Sequence, residues 1–365
     1  MSQRYIGLMS GTSMDGIDAV LADIDGTRWL AARAHFFVPY PEPLRQQLLA
    51  LQDSGGGELH RAALLAQAVA RLYAQAVNGL LAQEGLAAAD ITALGAHGQT
   101  VRHAPEHGYT LQLIDLPLLA ELTGIDCIGD FRSRDLAGGG QGAPLVPAFH
   151  QAVFGHPQHE RVLLNIGGIA NISILPPDGR PAGGFDTGPG NMLADAYMQH
   201  YRRQPYDRDG ELAAGGRIIG PLLAAWLAHP YFQRPAPKST GRELFSLSWL
   251  QGYLKAEHRP ADIMRTLNAF TARSIAQAVR RHSPAAREIF VCGGGTCNPV
   301  LMAELQQQLA GVQVATTDDL HLAPQWVEAA AFAWLAACRI HRQAASPHLA
   351  TGAARPYVLG AWHCA

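Results

Sequence analysis

The chain of 365 residues is 48% hydrophobic and 16% charged, a composition typical of a folded protein with room for two ordinary domains. Its formal net charge of −2 at pH 7 excludes the basic footprint of a nucleic-acid-binding protein and the polybasic patch of a membrane-surface protein. No apolar stretch reaches the ~18 residues that a membrane span needs, so we expect a small-molecule partner, with no nucleic acid and no membrane.

The cysteines and the N-terminal segment favour a reducing compartment. The five cysteines are scattered and lack the paired CxxC spacing of a zinc or redox site. The opening MSQRYIGLMSG has no apolar core of signal-peptide length. We therefore expect free, buried thiols and a cytoplasmic protein.

The first predicted elements are two strands joined by a glycine-containing turn. YIGLMS and IDAVLADI have the apolar alternation of strands, and the turn between them is GTSMDG. Asp-Gly pairs serve hairpin geometry alone in many proteins. Successive backbone N–H groups in such a turn also form a concave anion site, to which Thr12 and Ser13 add hydroxyl donors. The residues predict the hairpin and leave both uses of its turn open.

The next segments alternate between helices and strands. The apolar spacing of Glu58–Glu84 predicts a long amphipathic helix that ends at Gly85. ITALGAHGQTV is typical of a buried strand that runs into a polar loop, PLLAELTG of a helix, and IDCIGDF of another strand. GGGQG at 138–142 is too rich in glycine for either element and predicts a loop.

The pattern of the N-terminal segment returns at residue 161. RVLLNIGGIANISILPPDG repeats the order strand, glycine turn, strand and Asp-Gly of YIGLMSGTSMDGIDAVLADIDG. A long helix over 260–282, a strand EIFVC that runs into glycines, and a helix over PQWVEAAAFAWLAACRIHRQ with Pro324 near its start follow. The repeat predicts an α/β protein of two related domains with a cleft between them, divided into 1–133 and 134–365.

Four glycine-rich turns follow predicted strands, and they are SGTSMDG (10–16), NIGGIAN (165–171), FDTGPGN (185–191) and CGGGTCN (292–298). Glycines let the backbone approach a ligand closely, and four such turns are best explained by a nucleotide held across a cleft. In FDTGPGN, Asp186 ends a predicted strand and faces the turn, where a general base for phosphoryl transfer belongs. The alternative is an Asx residue that bonds only its own turn.

Longer strings, in the same order from Gly7 to the C-terminus, resemble the anhydro-N-acetylmuramic acid kinases of the acetate and sugar kinase, heat-shock chaperone and actin superfamily. The strings are SGTSMDGID, AHGQTVRHAP, GDFRSRDLAGGGQGAPLVP, NIGGIANIS, FDTGPGNMLAD, KSTGREL, CGGGTCN and VEAAAFAWL. The resemblance is specific, because sugar kinases in general do not share the DFRSRD, GGQGAPLVP and FDTGPGN strings. It implies two ribonuclease-H-like domains with a nucleotide-binding cleft between them.

The resemblance also implies roles for particular residues. Asp186 corresponds to the family's catalytic base. The residues that match the loop for the ATP phosphates are Gly11, Thr12, Ser13, Met14, Asp15, Gly16, Ile17 and Asp18. The residues that match the adenosine-side glycines are Gly293, Gly294 and Gly295. The residues expected at the sugar are Arg134, Glu328, His97, Gln99 and Gln141.

The reaction that the resemblance implies uses ATP and Mg²⁺. Asp186 deprotonates a water that opens the anhydro bridge of 1,6-anhydro-N-acetylmuramic acid, and the released O6 takes the γ-phosphoryl group. The product implied is N-acetylmuramic acid 6-phosphate, in the recycling of bacterial cell-wall peptidoglycan, and a homodimer is expected. Mg²⁺ usually keeps several waters, so its protein ligands stay open, with Asp15 or Asp18 as candidates for orienting those waters.

Several residues keep alternative interpretations. Arg134 suits the lactyl carboxylate of the sugar, the transferring phosphoryl group, or a surface salt bridge with Asp130 or Asp135. Glu328 lies in an apolar segment, which predicts a partner or a ligand unless it belongs to a solvated helix N-terminus. KSTGREL at 238–244 is compatible with phosphate contact or with a helix cap.

Three other functions agree with parts of the pattern. An ordinary sugar kinase would use Asp186 to activate a sugar hydroxyl and would consume no water. A nucleotide-gated sugar sensor would lack turnover and would need an output module, and the sequence has no basic helix-turn-helix segment. A glycoside hydrolase with paired carboxylates would act without ATP.

Overall fold

The computed structural model describes residues 2–11, 14–52, 55–241 and 244–365, apart from the side chain of residue 178. In these residues the strands are Gln3–Met9 (β1), Gly16–Asp25 (β2), Arg28–Pro39 (β3), Ala93–Ala96 (β4), Gln99–Ala104 (β5), Tyr109–Leu113 (β6), Cys127–Gly129 (β7), Arg161–Ile166 (β8), Ile169–Leu175 (β9), Gly183–Pro189 (β10), Glu288–Cys292 (β11), Gln313–Thr316 (β12) and Ala361–His363 (β13). The α-helices are Glu42–Leu49 (α1), Glu58–Glu84 (α2), Leu116–Thr123 (α3), Ser133–Ala137 (α4), Val146–Phe154 (α5), Met192–Tyr197 (α6), Glu211–Ala214 (α7), Gly220–Leu227 (α8), Leu247–Gln251 (α9), Pro260–His282 (α10), Pro299–Gln308 (α11), Val327–Ile340 (α12) and His348–Thr351 (α13). Within the described residues, none of the helices combines the length and the apolar character that a bilayer crossing requires.

The chain forms two compact units. The first unit is residues 1–153 together with 326–365, and the second unit is residues 154–325. The first contains a six-stranded sheet in the order β13-β7-β4-β1-β2-β3 and the small hairpin β5-β6. The second contains a five-stranded sheet in the order β10-β9-β8-β11-β12.

The two large sheets share one topology. In the first unit β1, β2 and β3 are antiparallel, and β4 and then β7 add in parallel beside β1. In the second unit β8, β9 and β10 are antiparallel, and β11 and then β12 add in parallel beside β8. Both sheets therefore have the strand order of a ribonuclease-H-like domain, with the second strand reversed. The predicted fold class, two related ribonuclease-H-like α/β domains, is confirmed.

Helix α12 brings the C-terminal part of the chain into the first unit. It packs on β1, β2 and β4. A Cβ on Gly7 would lie 1.8 Å from the carbonyl oxygen of Ala329, and a Cβ on Gly95 would lie 2.0 Å from that of Phe332. The close approach of this alanine-rich helix therefore requires glycine at both strand positions.

The predicted division between residues 133 and 134 differs from the two units. Residues 134–153, which contain most of α4 and of α5, belong to the first unit, and the chain returns to that unit at residue 326. The return depends on packing between α12 and β1, which come from opposite ends of the sequence. A search along the chain for changes in composition cannot detect such a contact.

Most of the local elements are confirmed. The β1-β2 and β8-β9 hairpins form, the long helix is Glu58–Glu84 with Gly85 as its left-handed cap, and 138–142 is a loop. Two details differ from the predictions. The segment after β4 is the strand β5 rather than a polar loop, and Asp186 lies inside β10, which continues to Pro189, rather than at the end of a strand.

Candidate functional site

Polar residues follow three parallel strands of the first unit at the edge where these strands end. Ser10 follows β1, His97 follows β4, and Arg132 comes three residues after β7. The carboxyl ends of parallel strands are where open α/β sheets bind ligands. The topology alone thus gathers these side chains at a ligand-binding edge.

Gln99 holds the turn that follows β1. Its side chain is fully buried, and its Oε1 accepts hydrogen bonds from the hydroxyls of Ser10 at 2.5 Å and Tyr40 at 3.2 Å. Its Nε2 donates to the carbonyl oxygens of Gly11 and Thr100, each at 3.3 Å. Burial raises the pKa of Tyr40 to about 12, so its hydroxyl stays protonated as a donor. Gln99 was predicted at the sugar, but in the structure its amide binds protein groups that shape the turn.

The buried His97 pairs with the half-buried Arg132. Nε and Nη2 of Arg132 donate to Nε2 of His97 at 3.2 and 2.9 Å, and Nη1 donates to the carbonyl oxygen of Gly142 at 2.6 Å. Burial and the positive charge of Arg132 lower the pKa of His97 to about 3. The imidazole is therefore neutral at pH 7, and its Nε2 is the acceptor. These bonds engage three of the five N–H groups that a guanidinium carries.

Glu328 acts on the same arginine. Burial lowers the pKa of Arg132 to about 10, and the carboxylates of Glu328 and Asp135 oppose that change. Glu328 is half-buried in the first turn of α12. The partner that sequence reasoning required for Glu328 is thus a charge within the same unit, and the group combines a guanidinium, a neutral imidazole and a carboxylate.

The sequence prediction placed Arg134 at the sugar, and in the structure the neighbouring Arg132 is the arginine that bonds His97. Arg134 is exposed, and its guanidinium lies over the ring of Tyr357, 4.5 Å from the ring centroid. The two arginines are two positions apart in one string, FRSRD. Only the structure distinguishes the one that meets His97.

Asp135 anchors the glycine-rich loop 138–142. The side chain is fully buried, and its carboxylate accepts hydrogen bonds from the backbone N–H of Gly142 at 2.9 Å, from the Thr351 hydroxyl at 3.0 Å and from the Ser346 hydroxyl. A Cβ on Gly140 would lie 2.2 Å from Oδ2 of Asp135. The alternative interpretation, a surface salt bridge between Arg134 and Asp135, is therefore wrong.

Two neighbouring residues have different surroundings. Gln141 donates its backbone N–H to the carbonyl oxygen of Thr351 at 2.8 Å and exposes its side chain. Asp130 accepts the hydroxyl of Ser133 at 2.5 Å and its backbone N–H at 3.3 Å, at the start of α4. The side chain of Gln141 is open to a ligand, whereas Asp130 stabilises the helix.

Part of the predicted phosphate loop serves the core. Thr12 and Ser13 lie outside the described residues. Met14 and Ile17 are fully buried. A Cβ on Gly16 would lie 2.4 Å from an aromatic ring of β3, so packing requires glycine there. These three residues therefore owe their identity to the fold of the hairpin.

The two carboxylates of the turn differ in their surroundings. Asp15 is exposed, and its Oδ1 accepts the backbone N–H of Gly16 at 3.1 Å. Asp18 lies on β2, where its Oδ1 is 2.7 Å from Nε2 of His35. The ring of His35 stacks on Trp326 with 5.5 Å between centroids. Asp15 therefore faces solvent at the turn, and Asp18 contacts a histidine of its own unit.

In the second unit a row of residues crosses the sheet at the level of Asp186. Asp186 of β10 pairs with Asn171 of β9, Asn171 with Asn165 of β8, and Asn165 with Cys292 of β11. Residues directly opposite on neighbouring strands share a face of the sheet. Asp186 is thus in line with the carboxyl ends of the parallel strands β8 and β11, the ligand-binding edge of such sheets.

Glycine turns lie at that edge. β8 is followed by the turn 167–168, and β11 by 293–295. A Cβ on Gly293 or on Gly295 would lie 2.4 Å from an atom at the end of β8, so packing requires both glycines. A Cβ on Gly294 would have no neighbour within 4 Å. Gly294 is therefore the residue of the CGGG turn with open space beside its backbone.

Asp186 is held by the segment 231–240. The backbone N–H of Thr240 donates to Oδ2 of Asp186 at 3.0 Å. The backbone N–H of Asp186 donates to the carbonyl oxygen of Lys238 at 3.0 Å, and the Tyr231 hydroxyl donates to the carbonyl oxygen of Asp186 at 2.5 Å. An N–H bond to a carboxylate favours its ionised form, the form that a general base needs. The KSTGREL string thus has a use that sequence reasoning missed, because it binds a residue 54 positions away.

The protein groups alone do not form a metal centre in the part of the chain that the structure describes. No cluster of three or more His, Cys, Asp and Glu side chains there is able to hold a metal ion. None of the five cysteines, all of which the structure describes, forms a disulfide. Their predicted burial is confirmed for Cys127, Cys292 and Cys338 and is wrong for Cys297 and Cys364, which are exposed. The chemistry present is a carboxylate on β10, a guanidinium with an imidazole and a carboxylate in the first unit, and open glycine turns at strand ends.

Comparisons with known proteins agree on one family. A family model described as anhydro-N-acetylmuramic acid kinase matches residues 3–365. The anhydro-N-acetylmuramic acid kinase of Neisseria gonorrhoeae is 61% identical over 361 residues, which cover 99% of this chain and 98% of that protein. The anhydro-N-acetylmuramic acid kinase of Chromobacterium violaceum is 53% identical over 364 residues, 99% of each chain. One similar solved structure is that of the activator of the 2-hydroxyisocaproyl-CoA dehydratase from Clostridium difficile with bound ADPNP. The match has a TM-score of 0.48 at 14% identity and covers 92% of this chain and 94% of that one.

Proposed function

The chain belongs to the anhydro-N-acetylmuramic acid kinase family, and from that premise we propose which of its residues perform the reaction. The family activity is the phosphorylation of 1,6-anhydro-N-acetylmuramic acid in the recycling of cell-wall peptidoglycan. In the proposed reaction the anhydro bridge is hydrolysed and O6 receives the γ-phosphoryl group of ATP. The product is N-acetylmuramic acid 6-phosphate.

Asp186 is the general base in this assignment. The observation that carries the assignment is the hydrogen bond from the backbone N–H of Thr240 to Oδ2 of Asp186 at 3.0 Å, at the strand edge where ligands bind. A hydrogen bond at one carboxylate oxygen fixes the orientation of the group and favours its charge. The carboxylate is then able to take a proton from a water molecule within hydrogen-bond reach.

The proposed reaction breaks one bond of the sugar and one of ATP and forms two new bonds. Asp186 accepts one proton of water, and the water oxygen bonds to the anomeric carbon. The bond between that carbon and O6 breaks, and its electron pair remains on O6. O6 bonds to the γ-phosphorus of ATP, ADP leaves, and the proton on Asp186 is released to solvent.

The nucleotide is assigned to the turns at the strand edges. We assign the ATP phosphates to the turn 11–18 and the adenosine side to 293–295, where the open space beside Gly294 supports close approach of a ligand. Mg²⁺ prefers hard oxygen ligands and usually keeps several waters. The exposed carboxylate of Asp15 is such an oxygen ligand, so this residue fits the ion. Mg²⁺ bound to the phosphates supplies neutralisation of their charge.

The sugar is assigned to the group around Arg132. A guanidinium suits the lactyl carboxylate or the transferring phosphoryl group, and we assign this contact to Arg132 because it lies at the strand edge beside His97 and Glu328. Glu328, His97 and the exposed amide of Gln141 remain the other sugar-side residues. Gln99 acts through the turn that it holds.

The enzyme is further assigned to the cytoplasm as a homodimer. Free thiols without paired spacing suit a reducing compartment, which also contains the ATP that the reaction consumes. The homodimer follows from the family resemblance alone.

Product analysis tests the reaction. The protein is incubated with 1,6-anhydro-N-acetylmuramic acid in ¹⁸O-labelled water, with and without Mg-ATP. The masses of the products are then measured by mass spectrometry. We expect N-acetylmuramic acid 6-phosphate only with ATP, with one heavy oxygen at the anomeric hydroxyl after correction for exchange. Ring opening without ATP would indicate a glycoside hydrolase, and a product without label would indicate an ordinary sugar kinase.

A further inference from the structure

A lysine side chain closes the segment 231–240 on itself. Nζ of Lys238 donates to the carbonyl oxygens of Tyr231 at 3.1 Å and Phe232 at 3.4 Å. The same ammonium lies 4.6 Å from the ring centroid of Tyr231 and 5.9 Å from that of Phe185, within the range of cation–π attraction. One side chain thus ties the start of the segment to its end.

Both ends that the lysine joins also bind Asp186. At the start of the segment, the Tyr231 hydroxyl donates to the carbonyl oxygen of Asp186. At the end, the carbonyl oxygen of Lys238 accepts the backbone N–H of Asp186, and the N–H of Thr240 binds its carboxylate. A shift of either end would move or release Asp186, and the contacts of the ammonium oppose that shift.

The position of this ammonium is unfavourable for stability alone. Lys238 lines a groove of about 210 Å³ together with Gln277, Arg281 and His282, and no carboxylate is among the described residues that line it. Burial lowers the pKa of Lys238, and the charges of Arg281 and Arg234 lower it further. A charge withdrawn from water without an opposite charge costs free energy. Perturbed groups of this kind concentrate at functional sites.

We propose that Lys238 is a positioning residue of this kinase. Its ammonium fixes the segment 231–240 so that the N–H of Thr240 holds the Asp186 carboxylate in the orientation that accepts a proton from water. The inference rests on the proposed role of Asp186 as the general base. Lys238 acts through the backbone and does not touch the reacting atoms.

Three lysine variants test the inference. Lys238→Met keeps an unbranched apolar stem as far as Cε and removes the ammonium, Lys238→Arg keeps a cation, and Lys255→Met removes the chain's other lysine, which is exposed. Displacing a catalytic group by about 1 Å costs about 100-fold in rate. We therefore expect the kcat of Lys238→Met to fall by about that factor with the KM for ATP unchanged. Lys238→Arg is expected to restore most of kcat, and Lys255→Met to match the wild type.

The pH profile gives a readout that a purely structural role would not move. The cations facing Lys238 are Arg281 and Arg234, and the neighbouring His282 is neutral at alkaline pH because burial lowers its pKa. All three side chains are present in every variant. In the wild type we expect kcat to decline at alkaline pH as Lys238 loses its proton, earlier than an ordinary lysine would. In Lys238→Arg the decline moves to higher pH, because a guanidinium stays protonated there.

Two results would overturn the inference. One is a folded Lys238→Met with the kcat of the wild type. The other is an alkaline limb of the kcat profile that lies at the same pH in Lys238→Arg as in the wild type. If circular dichroism finds Lys238→Met unfolded, the comparison with Lys238→Arg alone decides whether Lys238 is a positioning residue. Failure of the proposed function gives a different result, which is turnover by Asp186→Asn. An inactive Asp186→Asn beside a fully active Lys238→Met would reject the positioning role and keep the base.

Discussion

Arg132 donates two hydrogen bonds to one nitrogen of His97, Nε2, at 3.2 and 2.9 Å. The bonds fix the guanidinium at the end of β4, where a ligand-binding edge is expected. They also keep the imidazole neutral, since a protonated Nε2 is unable to accept them. These two bonds distinguish Arg132 from Arg134. From the FRSRD string alone, the two arginines are equivalent candidates.

Substitution of the two arginines separates their roles. Arg132→Gln removes a half-buried cation that donates to His97 and is stabilised by the charge of Glu328, and loss of such a cation at a binding site costs at least about 2 kcal/mol. We expect kcat/KM for the anhydro sugar to fall at least about 30-fold, the equivalent of that energy. The exposed stack of Arg134 on Tyr357 is worth at most about 1 kcal/mol, so Arg134→Gln is expected to stay within about 5-fold of the wild type.

Steady-state kinetics with the anhydro sugar as the varied substrate measures both variants. A large loss in Arg134→Gln beside a mild one in Arg132→Gln would return the sugar contact to Arg134.

The buried His150 makes stability depend on pH. Burial lowers its pKa to about 3 in the folded chain, whereas the unfolded value is about 6.5. Between these values the unfolded chain binds the extra proton, so the free energy of unfolding falls as the pH falls through this window. At ~1.4 kcal/mol per pH unit, His150 accounts for about 2 kcal/mol of lost stability between pH 7 and pH 5.

His150→Gln removes that contribution. Urea unfolding of the wild type and the variant at pH 7 and pH 5 measures it, and we expect the wild type to lose about 2 kcal/mol more than the variant on acidification. Equal losses in the two proteins would contradict a neutral buried imidazole. His97, whose pKa is lowered in the same direction, is present in both proteins and cancels.

Local elements were predictable because their signals lie in neighbouring residues. Apolar alternation and Asp-Gly pairs predicted both hairpins, and the repeat of that pattern predicted the duplicated fold. Contacts between distant residues were not predictable. Thr240 binds the carboxylate of Asp186 from 54 positions away, and Asp135 is buried by hydroxyls of the C-terminal segment. The return of α12 to the first unit was not predictable for the same reason, because it depends on contacts with strands from the start of the sequence.

The close approach of α12 to β1 gives a sharp test of that packing. In Gly7→Ala the new methyl group would lie 1.8 Å from the carbonyl oxygen of Ala329, so the helix or the strand must move. Overpacking of this kind costs about 3 kcal/mol or more. Gly183→Ala, on β10, is the matched control because its methyl group would meet nothing within 4 Å.

Thermal and urea unfolding measure the two glycine variants. We expect Gly7→Ala to lose about 3 kcal/mol and Gly183→Ala to stay within about 1 kcal/mol of the wild type. Equal stability of the two variants would mean that α12 does not pack on β1 as described.

Asp186→Asn tests whether Asp186 takes the proton of the attacking water. Asparagine keeps the shape of the side chain and is unable to take that proton, and general-base catalysis contributes about 100- to 10,000-fold in rate. The measurement is ADP formation with saturating anhydro sugar, alongside the affinity for ATP by calorimetry, with the exposed Asp209→Asn of the same unit as control. We expect turnover to fall by at least about 100-fold, with ATP affinity retained and the control fully active. Turnover by Asp186→Asn at the rate of the wild type would contradict the role of Asp186 as the base.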